Sequence, residues 1–97
     1  MSVYMVAQIA IDDRETYGKY EAGFAAAFSG HAGKVLSVDE SPQTIEGSWP
    51  FTRTVLIEWP DEASAMAWYE SDEYQAIVKH RHAASEANIV MVKGFGV

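Results

Sequence analysis

The chain contains no cysteine, which excludes disulfides, thiolate metal sites and a cysteine nucleophile and fits a reducing cytosol. It is also short of positive charge. Seven Lys and Arg stand against 14 Asp and Glu, for a formal net charge of −7 and a pI near 4.7. That balance opposes nucleic-acid binding, which draws on clustered basic side chains to neutralise phosphates. No apolar run approaches the roughly 18 residues that a membrane-crossing helix needs. The N-terminal Met-Ser-Val-Tyr-Met-Val-Ala lacks the basic region and small-residue cleavage site of a signal peptide. The expectation is a cytoplasmic protein with neither a nucleic-acid nor a membrane partner. No repeat, low-complexity tract or flexible linker interrupts the chain, so residues 1–97 are expected to form one small domain.

What is plentiful is apolar and aromatic surface. A hydrophobic content of 48% with 12% aromatic residues is rich for so short a chain and points to burial against a second copy. Val3 to Ile11 is apolar on both parities apart from Tyr4 and Gln8, the pattern of a strand covered on both faces. Asp12 and Asp13 offer helix caps. Tyr17, Tyr20, Phe24, Ala27 and Phe28 then recur at three- and four-residue intervals as the apolar stripe of an amphipathic helix. Gly30 and Gly33 read as left-handed stops after it. Lys34 to Glu40 alternates as a second strand, and Pro42 makes Ser41 to Thr44 a turn. Thr52 to Trp59 reads as a third strand, stopped by Pro60. Asp61 caps a helix carrying Ala65, Met66, Trp68 and Tyr69. Ser71 and Asp72 cap a further helix with Tyr74, Ile77, Val78 and Arg81, reaching Ala84 or Ala87. Asn88 to Phe95 supplies the last strand.

The order is strand, helix, strand, strand, helix, strand, which predicts an α+β, ferredoxin-like βαββαβ fold with an antiparallel four-stranded sheet and the second helix broken near Ser71. Helices cover only one sheet face. On the first strand, Val3, Met5, Ala7, Ile9 and Ile11 are assigned beneath the helices, leaving Tyr4, Gln8 and Ala10 on the other face. Leaving that face wet would forfeit about 25 cal/mol per Å² of apolar surface. A homodimer joined through the sheet faces is therefore expected, with a cavity between the sheets lined by the Tyr4 and Gln8 parity.

Residues 45–59 form the most informative stretch, because a polar and aromatic loop feeds a rigid strand there. Glu46, Trp49 and Arg53 are expected to line one cavity mouth. Arg53, with its fixed fork of donors, suits a carboxylate or enolate; its structural alternative is an ion pair with Glu46. Glu46 itself would be a general base if Trp49 and Phe51 raised its pKa, and Gly47 after it suggests a tight bend. Tyr74 and Arg81 share a face of the last helix, where Arg81 either reaches inward or buries its stem and wets its head. His80 and His82 point about 200° apart. His82 and Glu86 share a helical face without a third ligand, so no metal site is expected. His31 is assigned to the surface. The candidate ligand-binding set is thus Tyr4, Gln8, Glu46, Trp49, Arg53, Tyr74 and Arg81.

Glu46-Gly47-x-Trp49, Arg53, Glu58-Trp59-Pro60, Ala65 with Trp68-Tyr69, Ser71-x-x-Tyr74 and Arg81 together resemble the family known as domain of unknown function 1330, from about Val3 to Gly94. The resemblance implies membership of the dimeric α+β barrel superfamily, in which two ferredoxin-like units pack through their sheets. That superfamily includes small monooxygenases, haem-degrading enzymes, isomerases and stress proteins, so it implies a fold more than a chemistry. Three functions follow as expectations. One is a cofactor-independent monooxygenase or isomerase acting on a small apolar or acidic metabolite, with Arg53 holding the anion and Glu46 or a histidine moving the proton. The second is a noncatalytic ligand-binding or stress-related dimer. The third is a structural dimer with a filled cavity. Gln8, Trp68 and His80 loosely resemble the asparagine, tryptophan and histidine of haem-degrading relatives, but Gln replaces Asn and no cofactor is expected.

Overall fold

The computed structural model describes residues 2–95. Its elements run β1 (Val3–Ile11), α1 (Arg14–Phe28), β2 (Lys34–Asp39), β3 (Arg53–Trp59), α2 (Glu62–Tyr69), α3 (Asp72–Ala84) and β4 (Ser85–Lys93). The strands make one antiparallel sheet in the order β2-β3-β1-β4, as the expected ferredoxin-like arrangement requires.

Local chemistry sets the element ends. The Asp13 carboxylate accepts from the Thr16 backbone N–H at 3.1 Å, and the Asp61 carboxylate from that of Ser64 at 2.7 Å. Each satisfies an orphan donor of a helix's first turn, and these bonds hold both carboxyls below their usual pKa. Between α2 and α3 the Ser71 hydroxyl donates to the Trp68 carbonyl at 2.7 Å and accepts from the Tyr74 N–H at 3.2 Å. One side chain thereby closes one helix and opens the next.

The last strand starts at Ser85 rather than Asn88, because β4 pairs with β1 as far as Ile11 opposite Ser85. Ladder bonds there override a Ser-Glu-Ala run that reads as helix. The carbonyl of Ala84 accepts from the backbone of Asp12 and Asp13 at 2.9 and 3.2 Å, which ties the end of α3 to the start of α1. Glu86 consequently lies on β4 opposite Ala10, so the expected His82–Glu86 helical pair does not exist. Gly30 has the positive φ expected of it, 81°, but Gly33 does not. Gly33 is required for space: a Cβ there would sit 2.7 Å from the Trp59 ring and 2.8 Å from that of Phe28.

The parity assigned to β1 holds. Val3, Met5, Ala7 and Ile9 are buried under the helices with Ile57, Trp59, Tyr17, Trp68, Tyr74 and Val78. The other parity brings Tyr4, Val6 and Gln8 of β1 beside Glu58, Leu56 and Thr54 of β3 and Val92, Val90 and Asn88 of β4. Val90 and Val92 are 55% and 45% exposed in the protomer, so that face has an apolar centre and no cover of its own.

Candidate functional site

Helix α1 packs against α3 and leaves β2 uncovered, with all six of its residues exposed. The gap over β2 and β3 opens into a cavity of about 210 Å³ between the helices and the sheet. Its floor is Met5, Ala7 and Ile9 of β1 with Val55 and Ile57 of β3. Tyr17, Tyr20 and Phe24 of α1 form the roof, and Trp68, Tyr74 and Arg81 close the inner end. The side chains are there because each element follows its own period: alternate residues of β1 and β3 face down the same side, and the three- and four-residue spacing of α1 stacks its aromatics above them. A second depression of about 190 Å³, among Met66, Tyr69 and Met91, has no charged side chain in its wall.

Arg53, at the first position of β3, guards the mouth. Its guanidinium pairs with Glu21 of α1 at 3.3 Å and with Glu40, which also takes Arg14 at 2.8 Å, and it lies 5.3 Å from the centre of the Tyr17 ring. The hydrogen bond from Arg14, with Arg53 adding to it, holds the Glu40 carboxyl below the usual carboxylate range. These ion pairs bridge α1 to the β2–β3 edge across the opening.

Arg81 lies deeper. It is 3% exposed, the one charged residue in the buried core among the described residues, and its guanidinium carbon is 5.8 Å from the centre of the Tyr20 ring. Burial works against its charge more than any other influence, yet Tyr74 and Tyr20 outweigh it, so the pKa rises and Arg81 stays cationic. The Tyr20 and Tyr74 hydroxyls share a hydrogen bond of 2.8 Å. Burial first, and Tyr74 second, push the Tyr20 hydroxyl far above its ordinary value.

Of the candidates, Arg53, Tyr74 and Arg81 meet in this cavity. The others do not join them: this cavity lies between helices and sheet of one protomer, whereas the cavity expected of the Tyr4 and Gln8 parity lies between the sheets of two. Tyr4 and Gln8 sit on the opposite face, where the Tyr4 hydroxyl is 3.4 Å from Glu58 and Gln8 is 3.4 Å from Asn88. Glu46 is exposed in the loop before β3. The partners of Arg53 are Glu21 and Glu40, so the expected Glu46–Arg53 pair is not made; strand pairing brings Asp39 at the end of β2 beside Thr54 at the start of β3, and Gly47 has the positive φ (79°) of the expected tight bend. Trp49 donates to the Thr54 hydroxyl at 2.9 Å, and Thr54 lies on the opposite parity from Arg53. Gln8, Trp68 and His80 are not assembled into one site, because Gln8 and Trp68 lie on opposite sides of the sheet. Tyr17 and Tyr20, which the sequence marks only as a helix's apolar stripe, and Glu21, which no sequence pattern marks, are also cavity residues; helical spacing of aromatics reads equally well as plain core, and only a cavity distinguishes the two. No cluster of three or more metal-ligating side chains occurs among the described residues, and no helix there is long and apolar enough to cross a membrane.

The model of the family described as "Domain of unknown function (DUF1330)" matches residues 2–95. No curated protein matches the chain. Among solved structures, a protein of unknown function from Rhodopseudomonas palustris is similar with a TM-score of 0.81 and 18% identity, over 99% of this chain and 84% of that one. A dimeric ferredoxin-like protein of unknown function from Jannaschia sp. CCS1 is similar with a TM-score of 0.71 and 11% identity, over 97% of this chain and 100% of that one. SnoaB, a cofactor-independent oxygenase from Streptomyces nogalater, is similar with a TM-score of 0.68 and 13% identity, over 99% of this chain and 95% of that one. At such identities these likenesses establish the ferredoxin-like fold and carry no chemistry with them.

Proposed function

This chain belongs to the DUF1330 family, and from that premise we propose that it is a homodimer, joined through its open sheet faces, in which each protomer binds a small and mainly apolar molecule between helices and sheet. The observation that carries this reading is the cavity itself. Protein interiors pack to crystal-like density with few voids larger than a water, yet about 210 Å³ stays open here behind aromatic and aliphatic walls. That is below the roughly 300–1,000 Å³ of drug-sized sites, so the occupant is small. The dimer is supported by the apolar centre of the uncovered face at Val6, Leu56, Val90 and Val92, and by the dimeric ferredoxin-like relative.

Binding is favoured over proton-transfer catalysis because the one carboxylate in the described cavity wall is Glu21, already paired with Arg53. A cofactor-independent oxygenase is the second reading, supported by the fold shared with the Streptomyces nogalater enzyme and by apolar walls that would keep water from a reactive intermediate.

Native mass spectrometry of the purified protein, followed by a thermal-shift screen of small apolar compounds, tests the reading. Val38 is 50% exposed at the mouth, and Val38→Trp should block entry while leaving the unliganded Tm within about 2–4 °C, since surface changes cost within about 0.5 kcal/mol. Loss of every ligand-induced Tm increment in that variant is the expected result. Absence of any increment in the wild type would favour a purely structural dimer.

A further inference from the structure

The buried side-chain groups left without a hydrogen-bond partner are all of one kind. Four buried side-chain nitrogens have no partner among the described residues, Arg53 Nε, Trp59 Nε1, Trp68 Nε1 and Arg81 Nε, and no buried side-chain acceptor is in that condition. Three of the four belong to residues of the cavity wall, so the hydrogen-bonding capacity left unmet in and behind that wall is for acceptors. The Tyr20–Tyr74 pair adds to this, because whichever hydroxyl donates across the 2.8 Å contact, the other keeps a hydrogen to give.

Charge points the same way. The wall holds Arg53, Arg81 and Glu21, and Glu21 is paired with Arg53 at 3.3 Å. Arg81 is 3% exposed, and no carboxylate among the described residues forms an ion pair with it. Tyr74 and Tyr20 offset the burial of its charge, but it has no carboxylate counter-ion among those residues, and an anion entering the cavity would supply one. One unbalanced arginine suits a single negative charge, and the planar guanidinium suits two coplanar oxygens. A phosphate would bring more charge than Arg81 offsets. The rest of the wall is aromatic: Tyr17, Tyr20, Phe24 and Trp68 would stack on or edge against a ring.

Resting on the ligand-binding reading above, we infer that the cavity takes a small aromatic monocarboxylate, with its carboxylate held by Arg81 and its ring among Tyr20, Phe24 and Trp68. Arg53 is then a residue of the mouth, and Arg81 the anchor.

Isothermal titration of the intact protein with benzoate, with its neutral near-isostere benzamide and with toluene tests this. Benzoate should bind at least tenfold more tightly than benzamide, and Arg81→Met, checked for folding by circular dichroism, should lose at least tenfold in benzoate affinity while its benzamide affinity changes by less than threefold. In the wild type, benzoate and not benzamide should move the Arg81 Nε–H proton resonance, a readout that does not depend on the variant folding. Benzamide or toluene binding as tightly as benzoate, full benzoate affinity in folded Arg81→Met, or an unmoved Arg81 resonance overturns the carboxylate assignment and leaves the cavity reading standing. Binding of none of the three overturns both.

Discussion

A single buried hydroxyl pair ties the roof of the cavity to its inner wall. The Tyr20–Tyr74 hydrogen bond joins α1 to α3, and Tyr20→Phe leaves the Tyr74 hydroxyl without its partner. The expected loss is about 1 kcal/mol at pH 7, read as a lower urea midpoint at unchanged slope. The pair also predicts a pH limit. Burial raises the Tyr20 pKa in the folded protein, and burial likewise raises that of Tyr17. A raised folded value means that stability is fully present below the unfolded tyrosine pKa of about 10 and falls as pH climbs above it. Urea titrations between pH 8 and 11 should therefore show declining stability on the alkaline side, with a shallower decline in Tyr20→Phe; equal slopes would disprove the role of this hydroxyl. At this scale the sequence is only partly legible. Tyr74 and Arg81 are marked by their seven-residue spacing on one helix face, whereas Glu46 is an attractive partner for Arg53 only because the two lie close along the chain. Glu21 and Glu40 are distant in sequence and reach Arg53 through the fold.

The joint between α1 and β2 depends on the absence of a side chain. Gly33 lies where the rings of Phe28 and Trp59 meet, with Trp59 fully buried. Gly33→Ala should destabilise by roughly 1–3 kcal/mol, the usual cost of forcing an extra carbon into packed surroundings. The backbone there has no positive φ, so the loss would come from packing and not from strain; a neutral result in chemical denaturation would contradict the close approach of the two rings to Gly33. Element types and most ends are readable because capping residues and periodicity are local: Asp13, Asp61 and Ser71 each cap the helix expected of them. The start of β4 is not, since Ser85 to Ala87 are strand only by virtue of β1 alongside.

The whole molecule presents two apolar surfaces with different fates, one folded under helices and one left open on the back of the sheet. If the open face joins two protomers, Val90→Asp at its centre, 55% exposed in the protomer, should shift sedimentation from dimer to monomer with little change in circular dichroism, because a charge is costly only where the interface excludes water. A variant that sediments like the wild type would place the contact elsewhere. Composition, charge, the alternation of β1 and the helical spacing of the aromatics by themselves determined the fold, the face of β1 beneath the helices and the exclusion of thiol chemistry, because each is a property of neighbouring residues. Only the tertiary structure decided where the cavity lies and which side chains share it. That outcome depends on α1 leaning on α3 instead of covering β2, and on Glu21, Arg53 and Arg81 reaching one cavity from three separate segments, distances that no local period encodes.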